Sequence, residues 1–274
     1  MVRVIQISDT HISPTKPHFA DNWQPVAAWL RQQSPDLVIH TGDLTVDGAD
    51  QEDDMRFCGE LMRAIGRPVL AVPGNHDVGD ALDPHQPVDD TRLARWRRHL
   101  GPDRWVHDCA EWRLIGLNAL LFGSGIAEEA SQLDWLETML AESRGRRLAW
   151  FLHRPLFLAD PEEGDTGYWS VKPKPRARLL DLLRKHEVAL VGSGHLHRAH
   201  DRLHEGTRYV WGPSSGFLVG PDMHPPMDGE EQLGAAIYDF DGRNVSARLA
   251  AIDGLKPYWI DDVIHEVYPP RKAG

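Results

Sequence analysis

Short apolar runs alternate with helix-period segments through the first third of the chain. Val2 to Ser8 reads as a strand, Trp23 to Gln33 as a helix with Pro25 in its first turn, and Leu37 to Thr41 as a second strand. A second helix is predicted over Gln51 to Ile65 and a third strand over Val69 to Val72. This alternation is the signature of βαβ units around a parallel sheet. Each strand runs straight into a polar cluster: Asp9-Thr10-His11, Gly42-Asp43, and Pro73-Gly74-Asn75-His76-Asp77. Open α/β sheets bind ligands at the carboxyl ends of their strands, so the three clusters are expected to converge.

The second half follows a different rhythm. Arg113 to Asn118 and Arg147 to Leu152 read as strands around a helix from Gln132 to Glu142, with Ser131 as its N-cap. Arg176 to His186 is predicted as a helix. A buried-type strand, Val188 to Val191, then leads into Gly192-Ser193-Gly194-His195-Leu196-His197. Hairpin-like strands follow over Arg208 to Trp211, Ala235 to Phe240 and Val245 to Ala251, the last two joined by Asp241-Gly242-Arg243-Asn244. Segments 79–90, 161–175 and 221–232 are rich in Pro, Gly and acidic residues and read as loops over a site rather than linkers. No repeat of fixed period appears, and we expect one domain over residues 1–274.

Composition narrows the class. Hydrophobic residues at 41% and charged residues at 26% describe an ordinary globular chain of 274 residues. No apolar run is long enough to cross a bilayer, and the first residues already read as a strand rather than a cleavable leader. Cys58 and Cys109 lie in unrelated contexts that suit a reducing compartment, so a cytoplasmic protein with no membrane partner is expected. The formal charge of −11 argues against binding long nucleic acid, which needs clustered Lys and Arg to displace counterions. Arg95-Trp96-Arg97-Arg98 lies in an amphipathic helical stretch and reads as a solvated face. An acidic surface repels anionic substrates, so phosphate attraction would need a local positive centre such as bound metal.

The strand-end residues are metal-ligand types. In an extended backbone, Asp9-x-His11 and His195-x-His197 would each place two side chains on one side. Gly42, Gly74 and Gly194 allow tight backbone and close approach to a bound group. Carboxylate, amide and imidazole donors without thiolates favour Mn, Fe, Co or Zn in a site that is not a structural zinc. Plainer readings hold elsewhere. His40 is expected to be a satisfied core histidine, Asp47 and Gln51 to Asp54 a helix N-terminal charge set, and Trp29, Trp135 and Trp150 core residues. Tyr168, Trp169, Trp211 and Phe217 fall near the motifs, with packing as their expected role. Arg154 is expected to pair with a surface acid. Cys58 has no base near it in sequence, and Gly123-Ser124-Gly125 is a turn, not a nucleophile elbow.

The ordered blocks Asp9-Thr10-His11, Gly42-Asp43, Gly74-Asn75-His76-Asp77, His153 and Gly194-His195-Leu196-His197 resemble the calcineurin-like metallophosphoesterase superfamily. In pattern they are most similar to its bacterial class III cyclic-nucleotide and glycerophosphodiester phosphodiesterases. The resemblance implies an α/β fold, a four-layer αββα sandwich, with the strands after Gly206 in the second sheet. It implies that Asp9, His11 and His197 hold one metal ion, that Asn75, His153 and His195 hold another, and that Asp43 bridges them. Mn or Fe is the expected metal, with Zn or Co as alternatives. Paired ions about 3.5–4 Å apart clamp a phosphoryl group and activate water. His76 would stabilise the transition state or protonate the leaving oxygen, and Asp77 would orient its ring. The implied reaction is hydrolysis of a small phosphodiester. The alternatives are a phosphomonoesterase on the same site and a non-catalytic metal-binding scaffold.

Overall fold

The computed structural model describes residues 1–269. Strand alternation sorts the apolar side chains into layers. In β1 (Val2–Ile7), Val4 points into one core while Ile5 and Ile7 point into another. After α1 (Trp23–Gln33), β2 (Leu37–His40) repeats the pattern, with Leu37 and Ile39 on the first side and Val38 on the second. The helix α2 (Glu52–Ala64) packs Met55, Cys58 and Met62 onto that second side, and β3 (Val69–Ala71) completes the parallel run. A short turn of helix, α3 (Asn75–Val78), and α4 (Asp90–Leu100) follow.

The second sheet is laid down next. It comprises β4 (Trp105–Cys109), β5 (Trp112–Leu117), α5 (Ala127–Ala141), β6 (Arg147–Leu152), α6 (Pro173–Lys185), β7 (Leu190–Ser193), β8 (His200–His204) and β9 (Thr207–Trp211). Along β6, Ala149 and Phe151 face the first sheet's inner residues, while Trp150 and Leu152 face the helices. The strand order is β4-β5-β6-β7-β9-β8, with β5, β6, β7 and β9 parallel. Two face-packed sheets with helices outside each make the expected four-layer αββα arrangement. Each fully buried large apolar side chain, such as Trp112 or Trp150, contributes about 1.5–3 kcal/mol.

Several details differ from the sequence reading. The hairpin β10 (Gly234–Asp241) and β11 (Asn244–Ala251) does not join the second sheet. It extends the first, in the order β11-β10-β1-β2-β3, because β10 pairs antiparallel with β1. Of the strands beyond Gly206, only β9 belongs to the second sheet, where it pairs with β7 and β8. The helix α5 begins at Ala127, so Ser131 lies inside it rather than capping it, and Glu129 instead accepts from the backbone N–H groups of Gly123 and Gly125. Val188 lies before β7, with its N–H bonded to the Leu183 carbonyl. A last helix, α7 (Ile260–Val267), packs against Phe19, Val46 and Phe217. Among the described residues no helix is long and apolar enough to cross a membrane.

One buried polar residue ties the two sheets together at their carboxyl ends. Gln6 accepts from the Tyr238 hydroxyl at 2.6 Å and donates to Thr41 Oγ1 and the Ser193 carbonyl, each at 2.9 Å. Every polar atom of the amide is satisfied, as burial requires. The bonds bring the ends of β1, β2 and β7 together.

Candidate metal centre

Seven side chains meet where those strands end. Asp9 lies two residues beyond β1, Asp43 three beyond β2, Asn75 beyond β3, His153 directly after β6, and His195 two beyond β7. Asp9, His11 and His197 form one group of donors within 4.8 Å of one another, and Asp43, His153 and His195 form another. Asp43 Oδ2 stands 3.2 Å from His153 Nε2 and 3.8 Å from His11 Nε2, so one carboxylate serves both groups. Asn75 Oδ1 joins the second group 3.3 Å from His153 Nε2. His76 also falls within a donor group with His11 and Asp43, so its ring borders the centre.

The proton bookkeeping of these rings tests whether a metal fits. His153 Nδ1, His195 Nε2 and His197 Nδ1 each lie 2.8–2.9 Å from a carbonyl oxygen, of Thr41, Tyr168 and Phe217 respectively. A carbonyl only accepts, so these nitrogens carry the N–H and the opposite ones present lone pairs. Yet His195 Nδ1 and His153 Nε2 face each other at 3.1 Å, and His11 Nε2 faces His197 Nε2 at 3.3 Å. With all four rings neutral, lone pairs, carboxylate oxygens and an amide oxygen converge there with no side-chain donor among them. Such a set is satisfied by cations, and the oriented outer N–H bonds are the usual supports of ligating imidazoles.

Electrostatics show the same pressure. Burial opposes charge on His153, yet the adjacent Asp43 carboxylate outweighs it and pushes the pKa up to about 9. Burial likewise works against the Asp43 charge, but the surrounding imidazoles hold its carboxyl well below the ordinary range. Burial drives His11 and His195 well below the usual histidine value. A proton on His153 thus stands in for positive charge at Asp43 while the His11 and His195 rings stay neutral and open to coordination.

The backbone is not the extended chain that strand periodicity predicts. Asp9, His11, Asp43, His195 and His197 all take positive φ, from 42° to 72°. They are five of the ten non-glycine residues with positive φ among the described residues. The left-handed region disfavours residues with a Cβ, although Asp and His tolerate it better than most. The side chains therefore converge from tight loops beyond the strands, held by bonds such as His195 N–H to Asp9 Oδ1 at 3.2 Å and Oδ2 at 3.1 Å. Close approach is also built in. A Cβ on Gly74 would lie 2.1 Å from Asp43 Oδ1, and one on Gly194 would lie 1.9 Å from Ser8 Oγ.

Asp77 does not orient the His76 ring. Its buried carboxylate accepts from Thr45 N–H and Oγ1 on one oxygen, and from Leu44 and Gly74 N–H on the other. It staples the loop after β2 to the loop after β3. His76 instead stacks on Tyr268, with ring centroids 4.4 Å apart, and its backbone N–H donates to Asp43 Oδ1 at 2.9 Å. His40 is the satisfied core residue expected, bonded through both ring nitrogens to Thr10 Oγ1 and Gly42 N–H. Arg154 pairs with an acid, but the pair is buried: its partner is Asp80, and its guanidinium lies over the Tyr168 ring. Arg92, Arg95, Arg97 and Arg98 of α4 are engaged by Asp50, Glu52, Asp89, Asp103 and Glu128.

Tyr268 escaped the sequence reading. Its hydroxyl lies 2.8 Å from His11 Nδ1, and it lines a cleft of about 520 Å³ beside the centre with Asn75, His76 and Tyr168. Ile260, Val263, Ile264, Val267 and Tyr268 follow an i, i+3, i+4, i+7, i+8 spacing, the signal that could have found this helix.

The fold and donor set define a class. Residues 2–199 match the calcineurin-like phosphoesterase family, and the chain belongs to it. Among relatives, a probable glycerophosphodiester phosphodiesterase of Arcobacter nitrofigilis is 30% identical, covering 83% of this chain and 83% of its own length. A serine/threonine-protein phosphatase of Danio rerio is 27% identical, covering 84% of this chain and 73% of its own. The purple acid phosphatase of yellow lupin superposes with a TM-score of 0.68 at 16% identity, over 94% of this chain. This chain spans 52% of the lupin enzyme, and at that identity the likeness shows the fold alone.

Proposed function

We propose that the chain hydrolyses small phosphodiesters at a dinuclear centre. Asp9, His11 and His197 would hold one ion, Asn75, His153 and His195 would hold the other, and Asp43 would serve both. The observation that carries this is the two pairs of facing imidazole nitrogens flanking one carboxylate. Two bound divalent ions supply Lewis acidity toward phosphoryl oxygens and acidify water. The oxygen- and nitrogen-rich donor set favours Mn or Fe, with Zn or Co as alternatives. His76, on the cleft side of the centre, is placed to hydrogen-bond a phosphoryl oxygen or give a proton to the leaving oxygen. The ring of Tyr268 behind it fixes its plane.

Charge supports the diester. The cleft is lined by Asp47 and Asp83, by Asp80 in its ion pair with Arg154, and by one lysine, Lys16, whose Nζ donates to the Val267 carbonyl at 2.7 Å. Such a lining offers little to the dianion of a monoester and tolerates the single charge of a diester. The Arcobacter nitrofigilis relative supports the same reading, whereas the Danio rerio phosphatase is the observation favouring a monoesterase. A cytoplasmic setting accords with two unpaired cysteines, Cys58 and Cys109.

Paired chromogenic diester and monoester substrates, assayed on Mn²⁺-loaded protein, test the proposal. We expect a clear diester preference, loss of turnover in Asp43→Ala, and a fall in kcat of about 10²–10⁴-fold in His76→Ala. Equal or faster monoester turnover reverses the substrate assignment. Full activity in Asp43→Ala sinks the mechanism.

A further inference from the structure

We infer that Tyr168 and Tyr268 are positioning residues, each fixing one half of the centre from outside through its hydroxyl; the inference rests on the two-ion reading above. The ligands differ in what supports them. His153, His195 and His197 lean on backbone carbonyls, which no substitution removes. Asn75 and His11 lean on side chains, and both side chains are tyrosines.

The two contacts solve different problems. An amide has an oxygen end and a donor end, and only the oxygen can ligate. Asn75 Nδ2 donates to Tyr168 Oη at 3.1 Å, which turns Oδ1 toward His153 and the centre. The carbonyl of the same tyrosine takes the His195 Nε2 proton at 2.9 Å, so one residue aligns two donors of one half. His11 presents Nε2 to His197 and Asp43, so its proton belongs on Nδ1. That proton has Tyr268 Oη as its acceptor, at 2.8 Å and 257 residues along the chain. Without the hydroxyl the other tautomer becomes accessible, and that form points an N–H at the ion.

Tyr→Phe isolates the hydroxyls from the rings. The Tyr268 ring stack on His76 and the Arg154 guanidinium over Tyr168 are kept in a phenylalanine. Metal-free protein is titrated with Mn²⁺, and steady-state kinetics are measured across Mn²⁺ concentrations. We expect wild type to bind two ions. Tyr268→Phe and Tyr168→Phe should each weaken one ion by about 10–100-fold, and the double variant should weaken both. Activity lost at low Mn²⁺ should return at saturating Mn²⁺ with KM for substrate unchanged. Wild-type affinity for both ions in both variants overturns the inference. So does a deficit that persists at saturating Mn²⁺ with a raised KM, which would make the tyrosines substrate contacts. Fewer than two ions in wild type instead defeats the two-ion reading. Should Tyr268→Phe fail to fold, Co²⁺-loaded wild type decides by proton NMR. Four shifted, slowly exchanging imidazole N–H signals, one of them from His11, support the inference, and absence of the His11 signal overturns it.

Discussion

Asp77→Asn separates a staple from an orienting partner. The carboxylate takes Thr45 N–H at 3.0 Å and Thr45 Oγ1 at 2.8 Å on Oδ1, and Gly74 N–H at 2.9 Å and Leu44 N–H at 3.2 Å on Oδ2. An asparagine must turn its NH₂ toward one pair of donors. Facing Thr45 is the cheaper choice, because the hydroxyl can rotate to accept while only one backbone N–H is orphaned. That orphan costs about 1–3 kcal/mol, and the remaining bonds lose their charge assistance. Part of this is offset: burial and the nearby Asp43 charge push the Asp77 pKa up to about 7, so its charge is itself held at a cost. The balance is a loss of about 2–4 kcal/mol, or roughly 3–7 °C in Tm for a chain of this size. Because the stapled loops carry Asp43 and Asn75, Mn²⁺ affinity should fall as well. Thermal unfolding of metal-free protein and Mn²⁺ titration measure both. A variant with unchanged Tm and metal affinity but reduced kcat would refute the staple and restore a role for Asp77 toward His76.

Two further outcomes follow from packing and burial. Gly194→Ala places a Cβ against Ser8 Oγ and 2.6 Å from Asp9 Oδ2, so it should cost about 1–3 kcal/mol and weaken Mn²⁺ binding at least tenfold; wild-type metal affinity would show that the approach is not limiting. Burial pushes the Cys109 thiol up to about 11 and the Cys58 thiol well above its ordinary value. Iodoacetamide at pH 8 should therefore leave both unmodified in the native protein, with Cys109 reacting as pH nears 11 and Cys58 only on unfolding. Rapid labelling of Cys58 at pH 8 would contradict the buried placement.

The candidate donors were legible in the sequence because most of their blocks follow a strong apolar run, and the carboxyl ends of parallel strands must converge. Trp23–Gln33 and Arg147–Leu152 were readable to the residue, since period and boundary signals agree there. What escaped depends on tertiary pairing. The hairpin β10–β11 reads as a hairpin from its turn, but nothing local says that β10 pairs with β1. Strand β4 alternates buried and exposed positions with polar His107 and Asp108, so its apolar signal is thin. The role given to Asp77 failed because adjacency in sequence says nothing about which way a carboxylate turns. Tyr268 sits on a legible amphipathic stripe, yet its meeting with His11 exists only in the folded chain.

Five of the candidate donor residues hold a backbone conformation that costs about 1–3 kcal/mol apiece for side-chain-bearing residues. Replacing any of them by glycine would relax the loop while discarding a donor. A change that eases folding at these positions therefore works against the centre, so loop stability and donor set are opposed in the same five residues. The cost of the donor set is written in the dihedral angles as well as in the side chains.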